Sequence, residues 1–567
     1  MPKRHLITSA LPYINGVKHL GNLVGSMLPA DVYARYLRAR DYEVLFICAT
    51  DEHGTPAEIS ALEAGLGVDE YCRLQHKIQA DVCRRFELSF DHFGRSSSRQ
   101  NHQLTKHFAR ELEKRGFIEE RPTRQVYSLE DRRFLPDRYI TGTCPHCGYT
   151  SARGDQCESC TRVLDPTDLL EPRSAISGST RLEIRETRHL FLLQSKLSLE
   201  LRNWIERHGN WPRLTRSIAL KWLDEGVQDR CITRDLSWGV PVERPGFENK
   251  VFYVWFDAPI EYIGATEEWA DADPANRDWK SWWYGANDVH YTQFMAKDNI
   301  PFHTIVFPAM ILGTREPWKL ADFIMGFNWL TYEGGKFSTS GKRGVLMSDA
   351  LEILPADYWR YWLLANAPES NDSDFAWELF AGTVNKDLVG VFGNFVNRIL
   401  RFAISRFDGV LPSGGTIGSA EERLFSDLSA RLTALEQHLT ECSFRKAVQD
   451  LRGMWVSGNT YLDNAAPWKA IQSDPARAMT AVQISVNLVR FFGVISEPVL
   501  PGSSRRIAVA LKCTADEWRW PSRPLVDELA VLTPGRPLEA PDLLFRRIEE
   551  GEVRAWSQQY AGQPKTP

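Results

Sequence analysis

Apolar and polar positions over the first 115 residues follow the pattern of an α/β fold. Two apolar runs, at residues 4–11 and 42–49, predict strands, and the near-continuous second run is typical of a buried parallel strand. Between them, apolar residues recur at helical spacing and predict a helix over about residues 20–40. The first strand runs into a turn at residues 12–16, and the second ends in a polar loop at residues 50–54, at the edge where open α/β sheets bind ligands.

The middle of the chain interrupts this pattern. Residues 118–236 are rich in Arg, Gly, Pro and Cys, and we interpret them as an insertion. Apolar runs at residues 250–256 and 302–307 then predict two further strands. The simplest prediction is one α/β sheet over residues 1 to about 325, split by the insertion.

A helical region is predicted after a glycine-rich loop at residues 333–344. Apolar residues recur at i, i+3 and i+4 over residues 379–407, and similar patterns continue to about residue 500, which predicts a helix bundle. Beyond residue 500 prolines are frequent, and only residues 543–556 are predicted to be helical.

Length and composition are those of a soluble multidomain protein. The 567 residues correspond to roughly four domains of about 150 residues. Net charge is −5, from 68 basic and 73 acidic residues, which argues against a polybasic binder but leaves a nucleic-acid partner open. Because no run approaches the roughly 18 apolar residues of a membrane helix and no signal peptide is recognisable, we expect a cytoplasmic protein without a membrane partner.

Four of the ten cysteines cluster within 17 residues, in the pattern C-x2-C-x9-C-x2-C. In a cytosolic chain such a cluster indicates metal binding rather than disulfides. Four thiolates complete a tetrahedral shell with no open position, so we predict one structural Zn²⁺ per chain. The alternative is a paralogue that keeps the cysteines without metal. The predicted ligands are Cys144, Cys147, Cys157 and Cys160.

Two polar segments are candidates for phosphate chemistry. His19-Leu-Gly-Asn22 lies where a strand and turn give way to a helix, whose free N–H groups suit an anion. Taken alone, these four residues favour the simpler interpretation of a capped helix with an incidental surface histidine. Lys336, Lys342 and Arg343 lie in the glycine-rich loop. Such a loop either clamps a polyphosphate on closing or is merely a solvated basic loop.

Together these segments resemble the two signatures of class I aminoacyl-tRNA synthetases. Ala10-Leu-Pro-Tyr-Ile-Asn-Gly16 with His19-Leu-Gly-Asn22 resembles the first, and Lys336-Phe-Ser-Thr-Ser340 the second. Over about 500 residues the chain is most similar to the methionyl-tRNA synthetase family, through further motifs: Thr50-Asp-Glu-His-Gly54, Arg234-Asp235, Trp255-Phe-Asp-Ala-Pro259 and Lys297-Asp-Asn-Ile-Pro-Phe-His303.

The resemblance implies a Rossmann-like catalytic domain split by a zinc-knuckle connective domain, then a linking fold and an all-α anticodon-binding helix bundle. The implied bounds are residues 1–117 and 237–325 for the catalytic halves, 118–236 for the insertion, 326–380 for the linking fold with the signature loop, and 381–567 for the bundle and tail. The C-terminal β-barrel through which some relatives dimerise is not recognisable, so we expect a monomer.

The implied activity is that of a methionine–tRNA ligase. It activates L-methionine with ATP, in the presence of Mg²⁺, to methionyl-adenylate and pyrophosphate, and then transfers methionine to the 3′ end of initiator and elongator methionine tRNA. An insertion of about 120 residues leaves no room for an editing domain.

The resemblance also assigns roles to residues. Phosphate and catalytic roles go to His19, Asn22 and Lys336, with Gly21, Asp298 and Thr339 completing the ATP site. The methionine site comprises Ala10, Leu11, Tyr13, Asp51, Trp255, Pro259, Tyr262 and His303. Tyr13 and His303 are the expected hydrogen-bond partners of the sulfur, and core packing is the alternative for Trp255 and Tyr262. The anticodon residues are Asn397, Arg401 and Trp468.

One departure from the family pattern bears on catalysis. Thr339 stands where the second signature usually carries a second lysine, and Lys342 or Arg343 is expected to compensate. Two alternatives therefore stay open. One is a catalytically weak or inhibitor-resistant paralogue with an RNA-binding or regulatory role. The other is a class I synthetase for another amino acid, which the small insertion, Trp255 and His303 argue against.

Overall fold

A five-stranded parallel sheet forms the centre of the catalytic region. The computed structural model describes residues 3–154, 157, 159–160, 162, 164–338 and 342–562. The strands are β1 (Arg4–Ser9), β2 (Glu43–Thr50), β3 (His92–Arg95), β4 (Val289–Ala296) and β5 (Phe323–Phe327). Their order is β5-β4-β1-β2-β3, with Arg4 of β1 opposite both Val289 and Glu43. The order reverses direction between β1 and β4, so this is the switch point at which open sheets bind ligands.

Helices cover both faces of this sheet, and the predicted strands at β1 and β2 and the helix between them are confirmed. That helix runs from Leu20 to Ala39 and includes a π-helical turn, Leu23–Met27. The other helices of this region are Thr55–Glu63, Val68–Arg85, Arg99–Lys114, Val254–Asp257, Glu261–Asp271, Lys280–Trp283, the π-helical Phe302–Val306, and Phe307–Thr314.

Two predicted strands are wrong. Residues 302–307 are helical, and of residues 250–256 only Val251–Phe252 is a strand, paired antiparallel with Thr233–Arg234. The apolar run after residue 301 forms a helix that is buried on nearly all sides. A run this short does not distinguish a buried helix from a buried strand. The actual strand β4 carries His290, Thr292 and Gln293 among its apolar residues, which hides its pattern.

The insertion is built on a long antiparallel ladder, Ile118–Ser128 against Leu182–Leu192. Its other strands are Arg133–Phe134, Ile140–Thr143, Ala152–Arg153, Leu170–Ser174 and Arg230–Cys231, and its helices are Asp137–Tyr139, Pro166–Asp168, Gln194–Leu197, Ser198–Arg207 and Arg213–Asp224. Glu58 of the catalytic region contacts the insertion. It accepts a hydrogen bond from Tyr139, and another from the Ser237 hydroxyl at 2.9 Å.

A linking segment and a helix bundle complete the chain, and the bundle predicted to about residue 500 is confirmed. Strand Leu330–Tyr332 pairs in parallel with Ser373–Phe375. Helix Pro501–Ala510 was not predicted, and residues 543–549 are not helical although the sequence predicted it. The helices are Met347–Ile353, Ala356–Ala365, Trp377–Val384, the π-helical Asn385–Gly393, Asn394–Arg406, Ser419–Thr440, Phe444–Ala465, Pro467–Ser473, Pro475–Ser496, Pro501–Ala510, Leu525–Glu528 and Glu550–Gln559.

Two helical stretches of the bundle are long and apolar enough to cross a membrane, by length and composition alone. They are Trp377–Arg406 and Pro475–Ser496. The second is 89% buried inside the protein over its most apolar window, and the core helix of a soluble protein meets the same criterion. These helices are therefore weak indications of a membrane span.

Candidate active site

The first signature caps the helix that follows β1. The Gly21 N–H donates to Nδ1 of His19 at 3.1 Å, and the His19 N–H donates to Oδ1 of Asn22 at 3.3 Å. Burial and the charge of Lys18 lower the pKa of His19 to about 4, so its ring is neutral at pH 7. Because Nδ1 is the acceptor, the ring hydrogen lies on Nε2 and is available to a ligand.

The two signatures are in direct contact. The ring of Phe337 stacks on His19, with centroids 4.4 Å apart and planes 9° apart. Backbone hydrogen bonds join the same segments, from Leu20 N to Val345 O at 3.2 Å and from Met347 N to Lys18 O at 2.7 Å. The glycine-rich loop is thus held across the start of the helix.

A cavity of about 320 Å³ lies between these signatures and the carboxyl ends of β1 and β4. Asp298, just after β4, accepts a weak hydrogen bond from Trp329 Nε1 at 3.4 Å, and Lys336 lies 5.6 Å above the same indole ring. Trp329 was not predicted, and no sequence pattern marks it. The predicted residues that the cavity brings together are Ala10, Leu11, His19, Gly21, Asn22, Asp298 and Lys336.

The remaining residues of the second signature have different surroundings. Arg343 donates through Nη2 to the carbonyls of Tyr332 at 2.9 Å and Glu333 at 3.0 Å. Lys342 is exposed and adopts a left-handed backbone conformation with φ 50°. Thr339 lies outside the described residues. Of the two predicted substitutes for a second lysine, Arg343 is therefore bound to the protein's own backbone.

Asp51 ends strand β2 beside the first signature. Its N–H donates to the Pro12 carbonyl and its carbonyl accepts from Ile14, both at 2.9 Å. The side chain is only 6% exposed, and its Oδ1 has no hydrogen-bond partner among the described residues. Burial and the neighbouring Asp257 raise the pKa of Asp51. A cationic ligand would remove this cost, since it supplies both a charge and hydrogen bonds.

The predicted aromatic residues of the methionine site lie beside the cavity but do not line it. The Tyr262 hydroxyl and His303 Nε2 are 2.9 Å apart, and His303 Nδ1 donates to the Asn299 carbonyl at 2.9 Å. Burial lowers the pKa of His303 to about 4, so Nε2 accepts from Tyr262 and the ring has no spare hydrogen. His303 is thus not a donor to sulfur in this arrangement, contrary to our expectation.

Tyr13, Trp255 and Pro259 complete this group. Tyr13 is 38% exposed, and its side chain lies beside Trp255 and Asp51. The Trp255 ring packs edge-on against Phe302, with centroids 4.6 Å apart, and Pro259 is buried.

The four clustered cysteines converge as predicted. Their sulfur atoms all lie within 4.8 Å of one another, with Cys144 to Cys160 at 3.9 Å and Cys147 to Cys157 at 3.6 Å. Thiolates bound tetrahedrally at about 2.3 Å from a zinc ion would lie about 3.8 Å apart. The sulfur geometry therefore fits Zn²⁺.

The predicted anticodon residues lie close together on the bundle. Asn397 and Arg401 share helix Asn394–Arg406, and Arg401 Nε donates to Asn397 Oδ1 at 2.6 Å. Arg398 and Phe402 of the same helix contact Trp468, with the Arg398 guanidinium 4.9 Å from the indole centroid.

Comparison with known proteins identifies the family. The model described as tRNA synthetases class I (M) matches residues 5–400, and that of the anticodon binding domain of methionyl tRNA ligase matches residues 411–565. The chain belongs to the methionyl-tRNA synthetase family. A relative named methionine–tRNA ligase from Streptomyces avermitilis is 58% identical over 572 residues, which cover 99% of this chain and 100% of the relative.

Two further members of the methionyl-tRNA synthetase family are similar to this chain over nearly its whole length. A methionine–tRNA ligase from Caulobacter sp. (strain K31) is 58% identical over 569 residues, 99% of each chain. The structure of Mycobacterium tuberculosis methionyl-tRNA synthetase in complex with methionyl-adenylate has a TM-score of 0.77 at 24% identity and covers 96% of this chain and 100% of that one. The predicted family and fold class are confirmed.

Proposed function

We propose that this chain is a methionine–tRNA ligase that forms methionyl-adenylate from L-methionine and ATP and then charges methionine tRNA, initiator and elongator alike. The observation that carries the proposal is the 320 Å³ cavity at the switch point of the sheet, where the two signatures meet. No observation favours the alternative of a weak or regulatory paralogue.

ATP, as its Mg²⁺ complex, is proposed to occupy this cavity. The neutral His19 donates from Nε2 to a phosphate oxygen beside the helix N-terminus, and Asn22 and the Gly21 backbone complete that contact. Asp298 accepts from the ribose hydroxyls. Lys336, and Thr339 in the same loop, would hold the β- and γ-phosphates as pyrophosphate departs.

Methionine is proposed to lie in the adjoining group of residues. The unpartnered Oδ1 of Asp51 would accept from the substrate ammonium. The side chain would lie against Ala10, Leu11, Trp255, Pro259, Tyr262 and His303. Tyr13, whose hydroxyl carries a hydrogen at neutral pH, is the proposed donor to sulfur. Sulfur–aromatic contacts contribute only about 0.3–1.5 kcal/mol each, so pocket shape must supply most of the selectivity.

The chemistry requires positioning and charge stabilisation more than acid–base catalysis. A carboxylate oxygen of methionine bonds to the α-phosphorus, the bond from that phosphorus to the β-bridging oxygen breaks, and pyrophosphate leaves. A hydroxyl at the 3′ end of tRNA then attacks the acyl carbon, and AMP leaves. Asn397, Arg401 and Trp468 are proposed to read the anticodon, with stacking on Trp468 contributing about 1–3 kcal/mol per base.

The proposal also covers the metal, the oligomeric state and the binding partners of the protein. Cys144, Cys147, Cys157 and Cys160 would hold one Zn²⁺ with no position open to substrate, which makes the metal structural. We propose a cytoplasmic monomer, organised in the domains that the sequence predicts. Its partners are methionine tRNA, L-methionine and ATP.

Methionine-dependent exchange of pyrophosphate into ATP tests the activation step. Purified protein should show exchange with methionine but not with isoleucine, leucine or cysteine in parallel reactions. Exchange with another amino acid in preference to methionine would overturn the assigned specificity. Absence of exchange with all four, in folded protein, would overturn the assigned activity.

A further inference from the structure

A buried histidine–aspartate pair links two segments of the proposed methionine site. Nδ1 of His53 and Oδ2 of Asp257 are 2.6 Å apart, and the two side chains are 1% and 0% exposed. Because an ionised carboxylate only accepts hydrogen bonds, Nδ1 of His53 carries the hydrogen and donates it. Hydrogen bonds to a charged group are short and roughly twice as strong as neutral ones. The pair is therefore a strong contact inside the catalytic region.

The two residues of the pair belong to segments with different proposed roles. His53 lies two residues after Asp51, which is the proposed acceptor of the substrate ammonium. Asp257 lies two residues after Trp255, in the short helix Val254–Asp257 that adjoins the methionine side chain. His53 and Asp257 are 204 residues apart in the chain. The distance between the two segments is therefore set by contacts made in the folded protein.

The backbones of these segments also approach each other closely beside the pair. Gly54 has φ 94°, a left-handed conformation that favours glycine. A Cβ added to Gly54 would lie 3.5 Å from Cγ1 of Val254, the first residue of the helix that carries Trp255. The hydrogen bond between His53 and Asp257 thus lies where the two segments meet.

The other side chains of the loop are directed to different partners. Glu52 accepts from Arg95 of β3 through both oxygens, at 2.8 and 2.9 Å. Oδ1 of Asp51 has no hydrogen-bond partner among the described residues. Among residues 51–53, the hydrogen bond that reaches the helix of Trp255 in the described part of the chain is therefore that of His53.

We infer that His53 and Asp257 are positioning residues for methionine, and that their hydrogen bond sets the distance between Asp51 and Trp255. The inference rests on the proposed function, because it takes L-methionine as the ligand. An amino acid that is bound through its ammonium group and its side chain needs both contacts at once, so an error in this distance weakens its binding. Neither residue lines the ATP cavity, and the affinity for ATP should not depend on the pair.

Two substitutions of His53 test this role. His53→Leu removes the donor at similar size. In His53→Asn, the amide nitrogen is two bonds from Cβ, as Nδ1 of histidine is, and can donate to Asp257. We measure KM for methionine, KM for ATP and kcat in pyrophosphate exchange. His53→Leu should raise KM for methionine on the order of tenfold and KM for ATP less than about twofold, while His53→Asn should stay within about threefold of wild type in both.

A second pair with the same geometry supplies the control. Nδ1 of His438 and Oδ2 of Asp450 are also 2.6 Å apart, between two helices of the bundle. His438→Leu should change neither KM in exchange, which needs no tRNA. If His53→Leu does not fold, Asp257→Asn replaces it, because it keeps an acceptor oxygen and removes the charge. This variant should raise KM for methionine about threefold and leave KM for ATP unchanged.

The results distinguish this inference from the proposed function. A wild type without methionine-dependent exchange overturns the proposed function, and equilibrium binding of methionine to the same variants then tests the pair. If the wild type shows exchange and the folded variant, His53→Leu or Asp257→Asn, has an unchanged KM for methionine, the inference alone is overturned. An equal rise in both KM values, or equal losses in His53→Asn and His53→Leu, would overturn it too, because either indicates a general structural role.

Discussion

Neighbouring cations in the signature loop have different roles. Arg343 is held by the carbonyls of Tyr332 and Glu333, and by Ala561 near the end of the chain through Nη1 at 3.4 Å. Lys342 is exposed to solvent in the same loop. Lys342 is therefore the better candidate for the charge that Thr339 does not supply, and Arg343 for an anchor of the loop.

Substitution of each residue separates these roles. Lys342→Ala should slow adenylate formation about 10- to 100-fold with no change in Tm, since a charge pair at about 4 Å contributes up to about 4 kcal/mol at an effective dielectric near 20. Arg343→Ala should lower Tm as well, because it releases the loop from two carbonyls. Single-turnover adenylate formation measures the effect on activation, and thermal unfolding measures the effect on stability. Lys469→Ala on the bundle is the control, and a wild-type rate for Lys342→Ala would contradict the assignment.

His303 makes the stability of the fold depend on pH. Its pKa is lowered to about 4 by burial, whereas an unfolded histidine titrates near about 6.5. Below that value the unfolded chain binds a proton that the native site refuses, so stability falls as pH decreases toward 4, by up to about 1.4 kcal/mol per pH unit. His303→Gln should flatten this decrease in urea titrations between pH 6.5 and 4. An identical slope in variant and wild type would contradict a neutral buried His303.

Residues of the site were predictable where a motif carried them. His19, Asn22 and Lys336 were found in the sequence because each lies in a short recognisable segment. The stacking of Phe337 on His19, and the contact of Trp329 with Asp298, join residues far apart in the chain. No local pattern encodes such pairs, since they depend on how the linking segment packs on the sheet.

Three π-helical segments lie next to residues proposed to bind ATP, methionine or the anticodon. Leu23–Met27 follows the first signature, Phe302–Val306 contains His303, and Asn385–Gly393 precedes the helix of Asn397. A π turn accommodates an extra residue, so it rotates the side chains that follow relative to an uninterrupted helix. Sequence periodicity does not reveal such a turn where both faces are apolar, and this contributed to the wrong strand at residues 302–307.

The zinc site should stabilise the small core of the insertion around the four cysteines. Cys144 and Cys157 lie in a small hydrophobic core separate from the two large cores of the protein. Cys160→Ser should therefore abolish the predicted one zinc per chain and destabilise the insertion by at least about 2 kcal/mol. Cys231→Ser, at a half-buried cysteine of the same insertion, is the control. Metal analysis and hydrogen exchange measure both, and full zinc content in Cys160→Ser would contradict the site.

A buried arginine, Arg360, forms hydrogen bonds to both the catalytic region and the bundle. Arg360 donates to Asp31 at 2.7 Å, to the Phe86 carbonyl at 3.1 Å and to the carbonyls of Pro498 and Val499 at 2.9 and 3.0 Å. Its side chain is fully buried. This buried guanidinium therefore contributes to the relative placement of the two regions, because it satisfies partners on both.

Removal of this contact should be costly. Arg360→Leu leaves Asp31 and three carbonyls short of donors, so we expect a loss of about 3–5 kcal/mol in the free energy of unfolding. Arg505→Ala, which breaks a surface pair with Glu87, should cost less than about 1 kcal/mol. Urea denaturation of both variants measures the difference. Equal losses in the free energy of unfolding would contradict the expectation that the buried contact contributes more than the surface pair.

The proposed function requires the whole molecule, because methionine is activated in the catalytic region and the tRNA substrate is proposed to be recognised by the bundle. The most direct measurement is steady-state charging of purified methionine tRNA, with isoleucine, leucine and cysteine as competing amino acids and an anticodon-altered tRNA as the second substrate. We expect charging with methionine alone, and a large loss of charging on the altered tRNA. Protein that is folded and binds tRNA but transfers no methionine would contradict it.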